Sequence, residues 1–368
     1  MSASNTAQRL LRKHLRTVTP YASARRSMSG GRIWLNANES PYSRDYEITS
    51  SNLNRYPNFQ SSTLNRAYAQ YAGVDAEQLL SHRGSDESID ILIRSFCEPG
   101  QDRILICPPT YGMYAISASL NNTPATVVPL LQDDGERRWQ LDIDAIKENS
   151  EHVKVVFLCH PANPLGNLLD PRDIETVLRH FAGTAVVVVD EAYIEYALQQ
   201  APHASFASRL DEFDNLVVMR TLSKAFGLAG IRVGFTLANR HIIQALVPVL
   251  APYPLPDVSI QIAIQALNAD NLIEMRQNVI EAVSEREILT AKLCQLAYVR
   301  RVEQSSTNFI LIQVDDADAV MNHCNAAGIL LRNQSAQVGL DHCVRITVGA
   351  PSENEQLIDV LQAFTAPA

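Results

Sequence analysis

The chain has 368 residues, 46% of them hydrophobic and 19% charged, with a formal net charge of −9. That length suits one large or two ordinary domains with a substantial core, and the composition is that of an ordinary globular protein. No apolar run nears the roughly 18 to 20 residues of a membrane helix, and an acidic surface without basic–aromatic interleaving argues against nucleic acid as a partner.

Residues 1–38 hold seven Lys or Arg and no acidic residue, which leaves about −16 on the remainder. An Arg-rich, Ser-containing, acid-free leader has the composition of an organelle transit peptide. The plainer expectation is an amphipathic helix near residues 5 to 16 and an irregular arm that docks on the body, so that residues 1–40 form an N-terminal unit packed on the small domain and the site. Next comes "HRGSDESID", where Gly84 and Ser85 stand at the entry to a helix beginning near Asp86. Free backbone N–H groups there make either an ordinary cap or an anion site.

From about residue 84, helix-like stretches alternate with apolar runs. "ESIDILIRSFC" has helical spacing, while "RILICPP", "VKVVFLCHP", "TAVVVVDEAY", "NLVVMRTLSK" and "IRVGFTLA" are strand-like. Near-continuous apolar strands are expected where helices cover both faces of a parallel sheet. The polar strand ends, Asn163, Asp190 with Tyr193, and Ser223 with Lys224, predict one site, because ligands collect at the carboxyl ends of such strands. The proline-rich stretch 247–259 reads as a linker, and "NLIEMRQNVIEAVSEREILTAKLCQL" as one long helix able to bridge two lobes. "STNFILIQV", a helix around residues 317 to 327, "GILLRNQ", "CVRITVG" and a last helix opened by a capping box of Ser352 and Glu355 form an α+β unit. The expected division is a large domain over 41–255 and a small one over 256–368. Six scattered cysteines, with no CxxC pair and no His cluster, predict free thiols in a reducing compartment and no structural metal.

Lys224 follows Ser223 and precedes "AFGLAG". A lone lysine is ordinarily a surface group. Here Thr221, Ser223 and Arg232 supply two hydroxyls and a guanidinium suited to a phosphate, and Gly227, Gly230 and Gly234 permit close backbone approach. A lysine beside a phosphate anchor, an aspartate and an aromatic ring points to pyridoxal phosphate. The lysine amine forms a Schiff base with its aldehyde, and Asp190 against the pyridine nitrogen makes the ring an electron sink. Tyr193 and Asn163 could bind the phenolic oxygen, and Tyr111 could stack on the ring.

The quoted motifs "HPANPLGN", "DEAY" and "SKAFGLAGIRVG" resemble those of the fold-type I pyridoxal-phosphate aminotransferases, and "TPYASARR", "WLNANESP", "NRYP", "GSDESID" and "VRITVG" resemble the histidinol-phosphate branch, so the likeness spans nearly the whole chain. It implies an α/β fold with a mainly parallel seven-stranded sheet flanked by helices and a smaller α+β domain. It also implies that Lys224, Asp190 and Tyr193 are catalytic, that Ser85, Asp86, Thr221, Ser223 and Arg232 surround the cofactor phosphate, and that Asn163 and Tyr193 hold the phenolic oxygen. Tyr56 would reach a partner's phosphate across a homodimer. The chain departs from the usual "NPNNPTG": His160, Ala162 and Leu165 replace common residues, and His160 is either a catalytic group or, more simply, a packed strand-end histidine.

Arg332 and Arg345 could each be an ordinary surface ion pair. The resemblance instead makes Arg345, aided by Arg332, the clamp on the substrate anion, with Tyr21 and Asn38 closing the pocket. One site then takes the phosphate of L-histidinol phosphate and the carboxylate of glutamate or 2-oxoglutarate in turn. The implied activity is ping-pong transamination to imidazole acetol phosphate in histidine biosynthesis, by a cytoplasmic enzyme. Alternatives are a phosphothreonine decarboxylase of the same fold, an aminotransferase for aromatic or aliphatic amino acids, and a cofactor-binding regulator, for which the short basic arm leaves no room for a helix-turn-helix module.

Overall fold

The protein is described by a computed structural model covering residues 6–18, 30–51, 53–132 and 138–365. Thirteen strands occur among them: β1 Ile33–Trp34, β2 Leu79–His82, β3 Arg103–Ile106, β4 Ala125–Val127, β5 Val153–Cys159, β6 Val186–Asp190, β7 Leu216–Thr221, β8 Gly234–Ala238, β9 Val299–Val302, β10 Phe309–Val314, β11 Ile329–Leu330, β12 Arg332–Asn333 and β13 Cys343–Thr347.

The central sheet has seven strands in the order β2-β8-β7-β6-β5-β3-β4. Only β8 runs against its neighbours. Between β7 and β8 the chain makes a single 3-10 turn, Ala229–Ile231, and without a crossover helix the next strand has to return antiparallel. The valine-rich strands are buried on both faces. Val187, Val189 and Val218 enter one core, and Val188, Val217 and Met219 the other, as the two-residue period of a strand requires. Each such side chain contributes about 1.5–3 kcal/mol on leaving water. Register then sets the site, because Cys159 lies opposite Asp190 and Asp190 opposite Met219. The carboxyl ends of β5, β6 and β7 are therefore side by side.

A second, antiparallel sheet has the order β12-β13-β10-β9. Its core includes Ile310, Ile312, Val344, Ile346 and Leu357, and it also takes Ile33 and Leu35 from the N-terminal side, where β1 pairs with β11. The 25-residue helix Ala269–Leu293 serves both cores, giving Met275 and Val279 to the first and Leu289 and Leu293 to the second.

Local departures from the sequence reading have simple causes. In place of one helix over residues 5–16 there is a helix Thr6–Leu10 and a 3-10 turn Lys13–Thr17. Leu10 and Leu11 are exposed, so no burial welds the two turns together, and segments this short depend on packing. The last helix, Pro351–Gln362, starts earlier than the expected Ser352–Glu355 box: Pro351 takes the first helical position and the Glu353 carboxylate accepts the Ala350 N–H at 2.9 Å. The proline-rich linker gives way to helix at Asp257. Strands β2 and β4, four and three residues long, carry too short a pattern to be read in advance.

Candidate active site

A cavity of about 240 Å³ opens at the carboxyl ends of β5, β6 and β7. Lys224, just past β7, enters it. Its Nζ donates to the Ala37 carbonyl at 2.9 Å and lies 5.5 Å from the centre of the Tyr193 ring. Burial, followed by the nearby Arg345 charge, lowers the Lys224 pKa to about 8. Near neutrality a usable fraction is thus the free amine, which can act as nucleophile and base.

Asp190 ends β6 and is almost wholly buried. Tyr114 Oη donates to its Oδ2 at 2.6 Å and the Ala192 N–H to its Oδ1 at 3.2 Å. Burial raises its pKa to about 6, and those two bonds oppose the rise. Beyond β6, Tyr193 Oη accepts from Asn38 Nδ2 at 3.0 Å and Asn163 Nδ2 at 3.4 Å. With both donors directed at the oxygen, the tyrosine proton is left to give to a ligand. Burial raises the Tyr193 pKa, so the hydroxyl stays protonated at neutral pH.

On the far wall, Thr221 Oγ1 donates to Ser223 Oγ at 2.9 Å and Arg232 Nη1 donates to the same oxygen at 3.2 Å. The helix Ser85–Phe96 begins beside them, with Gly84 as its cap at φ +74°. A Cβ on Gly84 would stand 2.5 Å from Arg232 Nη2, and one on Gly234 2.6 Å from the Gly84 carbonyl carbon. Two glycines thereby open a cradle of hydroxyls, backbone N–H groups and one guanidinium, suited to a phosphate. Asp86 lies 3.5 Å from Arg232 and accepts from Tyr111 Oη at 3.0 Å, which holds the Tyr111 ring against the cavity.

The small sheet supplies the opposite wall. Arg332 of β12 and Arg345 of β13 are direct cross-strand partners, and both line the cavity. Arg345 is buried; its Nη1 donates to Asn163 Oδ1 at 2.5 Å and its Nη2 to the Asn36 carbonyl at 3.0 Å. Like charges directly opposite on neighbouring strands repel, so an anion between them relieves a cost already present.

Two residues named from the sequence are not brought here. Tyr56 is 79% exposed and stacks on Tyr253 at 4.3 Å, outside this chain's cavity. Tyr21 lies outside the described residues.

Residues 32–363 match the family model described as aminotransferase class I and II. The chain is 54% identical to histidinol-phosphate aminotransferase 2 of Idiomarina loihiensis over 97% of its own length and 98% of that protein's. The chain belongs to the histidinol-phosphate aminotransferase family. It is also 47% identical to histidinol-phosphate aminotransferase of Escherichia coli, over 96% and 97% of the two chains. The crystal structure of histidinol-phosphate aminotransferase from Sinorhizobium meliloti in complex with pyridoxal-5'-phosphate superposes with a TM-score of 0.82 over 98% of both chains at 20% identity, which shows the shared fold.

In this aminotransferase, sequence reasoning missed Tyr114. It lies three residues after Tyr111, one helical turn on in "YGMY", and that spacing was its only signal. His160 is a packed histidine: its Nδ1 accepts the Leu169 N–H at 3.1 Å, so its proton sits on Nε2, 3.1 Å from the Ala204 carbonyl. Burial lowers its pKa to about 4.

Proposed function

We propose that this aminotransferase moves the amino group of L-histidinol phosphate to 2-oxoglutarate, with pyridoxal 5'-phosphate as its cofactor. The observation that carries the reading is the single cavity in which Lys224, Asp190, the phosphate cradle and the Arg332–Arg345 pair face one another. The residues fit the cofactor. Gly84 and Gly234 leave space that a Cβ would fill, Thr221, Ser223, Ser85 and Arg232 suit its phosphate, and Tyr111 suits a ring face.

When bound, pyridoxal phosphate supplies an aldehyde carbon for amines and a ring that accepts electrons. Asp190, kept dry and fixed by Tyr114 and Ala192, holds the proton of the pyridine nitrogen. Tyr193 and Asn163 give hydrogen bonds to the phenolic oxygen. Lys224 Nζ would be the group that moves the proton of the substrate α-carbon, a role suited to an amine whose pKa lies near 8. Arg345 and Arg332 hold the substrate anion, and two guanidiniums suit a phosphate dianion. Asn38, through Tyr193, aligns that hydroxyl.

The same reading includes a cytoplasmic homodimer in which Tyr56 serves the partner's site. The exposed, stacked pair of Tyr56 and Tyr253 and the exposed apolar side chains Ile48 and Leu53 support it, as do the free cysteines, five of the six buried. No helix among the described residues is long and apolar enough to cross a membrane.

Replacing Lys224 with Ala tests the chemistry. The variant should still bind the cofactor noncovalently but should form no glutamate from L-histidinol phosphate and 2-oxoglutarate, and no 2-oxoglutarate from glutamate and imidazole acetol phosphate in reverse. Wild-type turnover by the purified variant contradicts the assignment, and carbon dioxide release from phosphothreonine would identify a decarboxylase instead.

A further inference from the structure

Behind the strand ends, on the side away from the cavity, lies a second polar cluster. Side chains alternate along a strand, so the residue next to each cofactor-facing group points the other way. Glu191 follows Asp190, and Arg220 precedes Thr221. Glu191 is fully buried and Arg220 nearly so. Arg220 Nε donates to Glu191 Oε2 at 2.7 Å, and its Nη2 donates to Ser205 Oγ at 2.9 Å. Ser205 Oγ in turn donates to Glu191 Oε2 at 3.0 Å, and the Phe206 N–H donates to Glu191 Oε1 at 2.6 Å. One residue earlier, the Ala204 carbonyl meets His160 Nε2, as described above.

Three consecutive residues, 204–206, are thus bonded to side chains from the ends of β5, β6 and β7. Those are the strands that present Asn163, Asp190 and Lys224. None of His160, Glu191, Ser205, Phe206 or Arg220 lines the cavity. A buried ion pair is a poor source of net stability compared with a packed apolar pair, yet it fixes direction and separation through short, charge-assisted bonds. Glu195, also buried, lies with its carboxylate 3.5 Å from Arg220 Nη1 and accepts from Tyr71 Oη at 3.3 Å, which extends the cluster to Tyr71.

We infer that Glu191, Arg220 and Ser205 are positioning residues: through segment 204–206 they set the spacing of the three strand ends and so the grip of the site on its cofactor. The inference rests on the cofactor reading above. Site geometry is sensitive to displacements near 1 Å, and the network acts on it without touching cofactor or substrate.

The test uses purified full-length protein, its apo form, and pyridoxal phosphate as the probe. Ser205→Ala removes the hydroxyl that donates to Glu191 and accepts from Arg220 Nη2, leaves the direct Arg220–Glu191 bond in place and, at a half-buried position on the edge of the cluster, should leave the fold intact. Glu191→Gln keeps an acceptor for Phe206 but turns an amide toward Arg220. Both variants should bind pyridoxal phosphate at least fivefold more weakly and change the circular dichroism of the visible band, which reports ring orientation. In Ser205→Ala the apoprotein's Tm should stay at the wild-type value. A cofactor Kd and a visible circular dichroism equal to wild type in Ser205→Ala overturn the inference, whatever Glu191→Gln does to stability. Failure of the wild-type protein to bind pyridoxal phosphate would instead refute the cofactor reading, so the two failures are distinct.

Discussion

Replacing Arg345 with Ala removes a buried guanidinium together with its bonds to Asn163 Oδ1 and the Asn36 carbonyl. Truncating one side of a buried, hydrogen-bonded charge pair costs roughly 2–5 kcal/mol. Arg332 remains in register beside the lost group, so the lower half of that range applies, about 2–3.5 kcal/mol or a 30- to 400-fold fall in kcat/KM. Both half-reactions should suffer, because in the proposed function the phosphate of L-histidinol phosphate and the carboxylate of glutamate share the site. A second effect has a definite sign. The Arg345 charge helps to lower the Lys224 pKa to about 8, so its removal raises that pKa. Uptake of pyridoxal phosphate by the apoprotein needs the neutral amine. Its rate should rise through about pH 8 in the wild type and at higher pH in the variant. The assay is kcat/KM for both amino donors together with uptake rate against pH, with Tm as the control for folding. Unchanged kcat/KM and an unmoved uptake profile in a folded variant refute the reasoning.

Asp190→Asn should separate stability from function. A carboxyl with a raised folded pKa loses stability as pH climbs from its ordinary value of 3.8 through about 6, so ionised Asp190 costs the apoprotein roughly 3 kcal/mol at pH 7; the variant apoprotein should melt higher at pH 7, with the gain gone near pH 3.5, while turnover collapses. A lower Tm at pH 7 contradicts this sign. Tyr114→Phe deletes the 2.6 Å donor to Asp190, a bond to a charged group worth about 1.5–3 kcal/mol; the Asp190 pKa should rise further and the Kd for pyridoxal phosphate should increase about tenfold or more, and an unchanged Kd removes Tyr114 from the site. Gly84→Ala puts a methyl at φ +74° and 2.5 Å from Arg232 Nη2. It should displace Arg232 and weaken both pyridoxal phosphate binding and its competition by inorganic phosphate, as equilibrium titration would show.

Much of the site was legible because its residues end apolar runs. Asn163, Asp190 and Lys224 each interrupt a strand pattern with a polar group, and parallel topology makes such ends converge. Tyr114 was hidden by its setting, since a tyrosine within the apolar helix Met113–Leu120 reads as core until its hydroxyl is seen to reach Asp190 at the end of β6. Glu191, Arg220 and Ser205 were invisible for a related reason: their roles depend on register between β6 and β7 and on a contact with a loop 14 or 15 residues away, which no local period encodes. The cross-strand pairing of Arg332 with Arg345 likewise needed the antiparallel register of β12 and β13. Ends of elements resisted reading where two chemistries competed, as at Pro351, which took the first helical position ahead of Ser352.

The most direct test of the central claim is a visible absorbance scan of the purified protein loaded with pyridoxal phosphate, with L-histidinol phosphate added first and 2-oxoglutarate second. Loss of the visible band on the first addition and its return on the second is the expected result. A band that L-histidinol phosphate leaves unchanged would contradict the substrate, and a protein that develops no band with pyridoxal phosphate would contradict the chemistry assigned to Lys224.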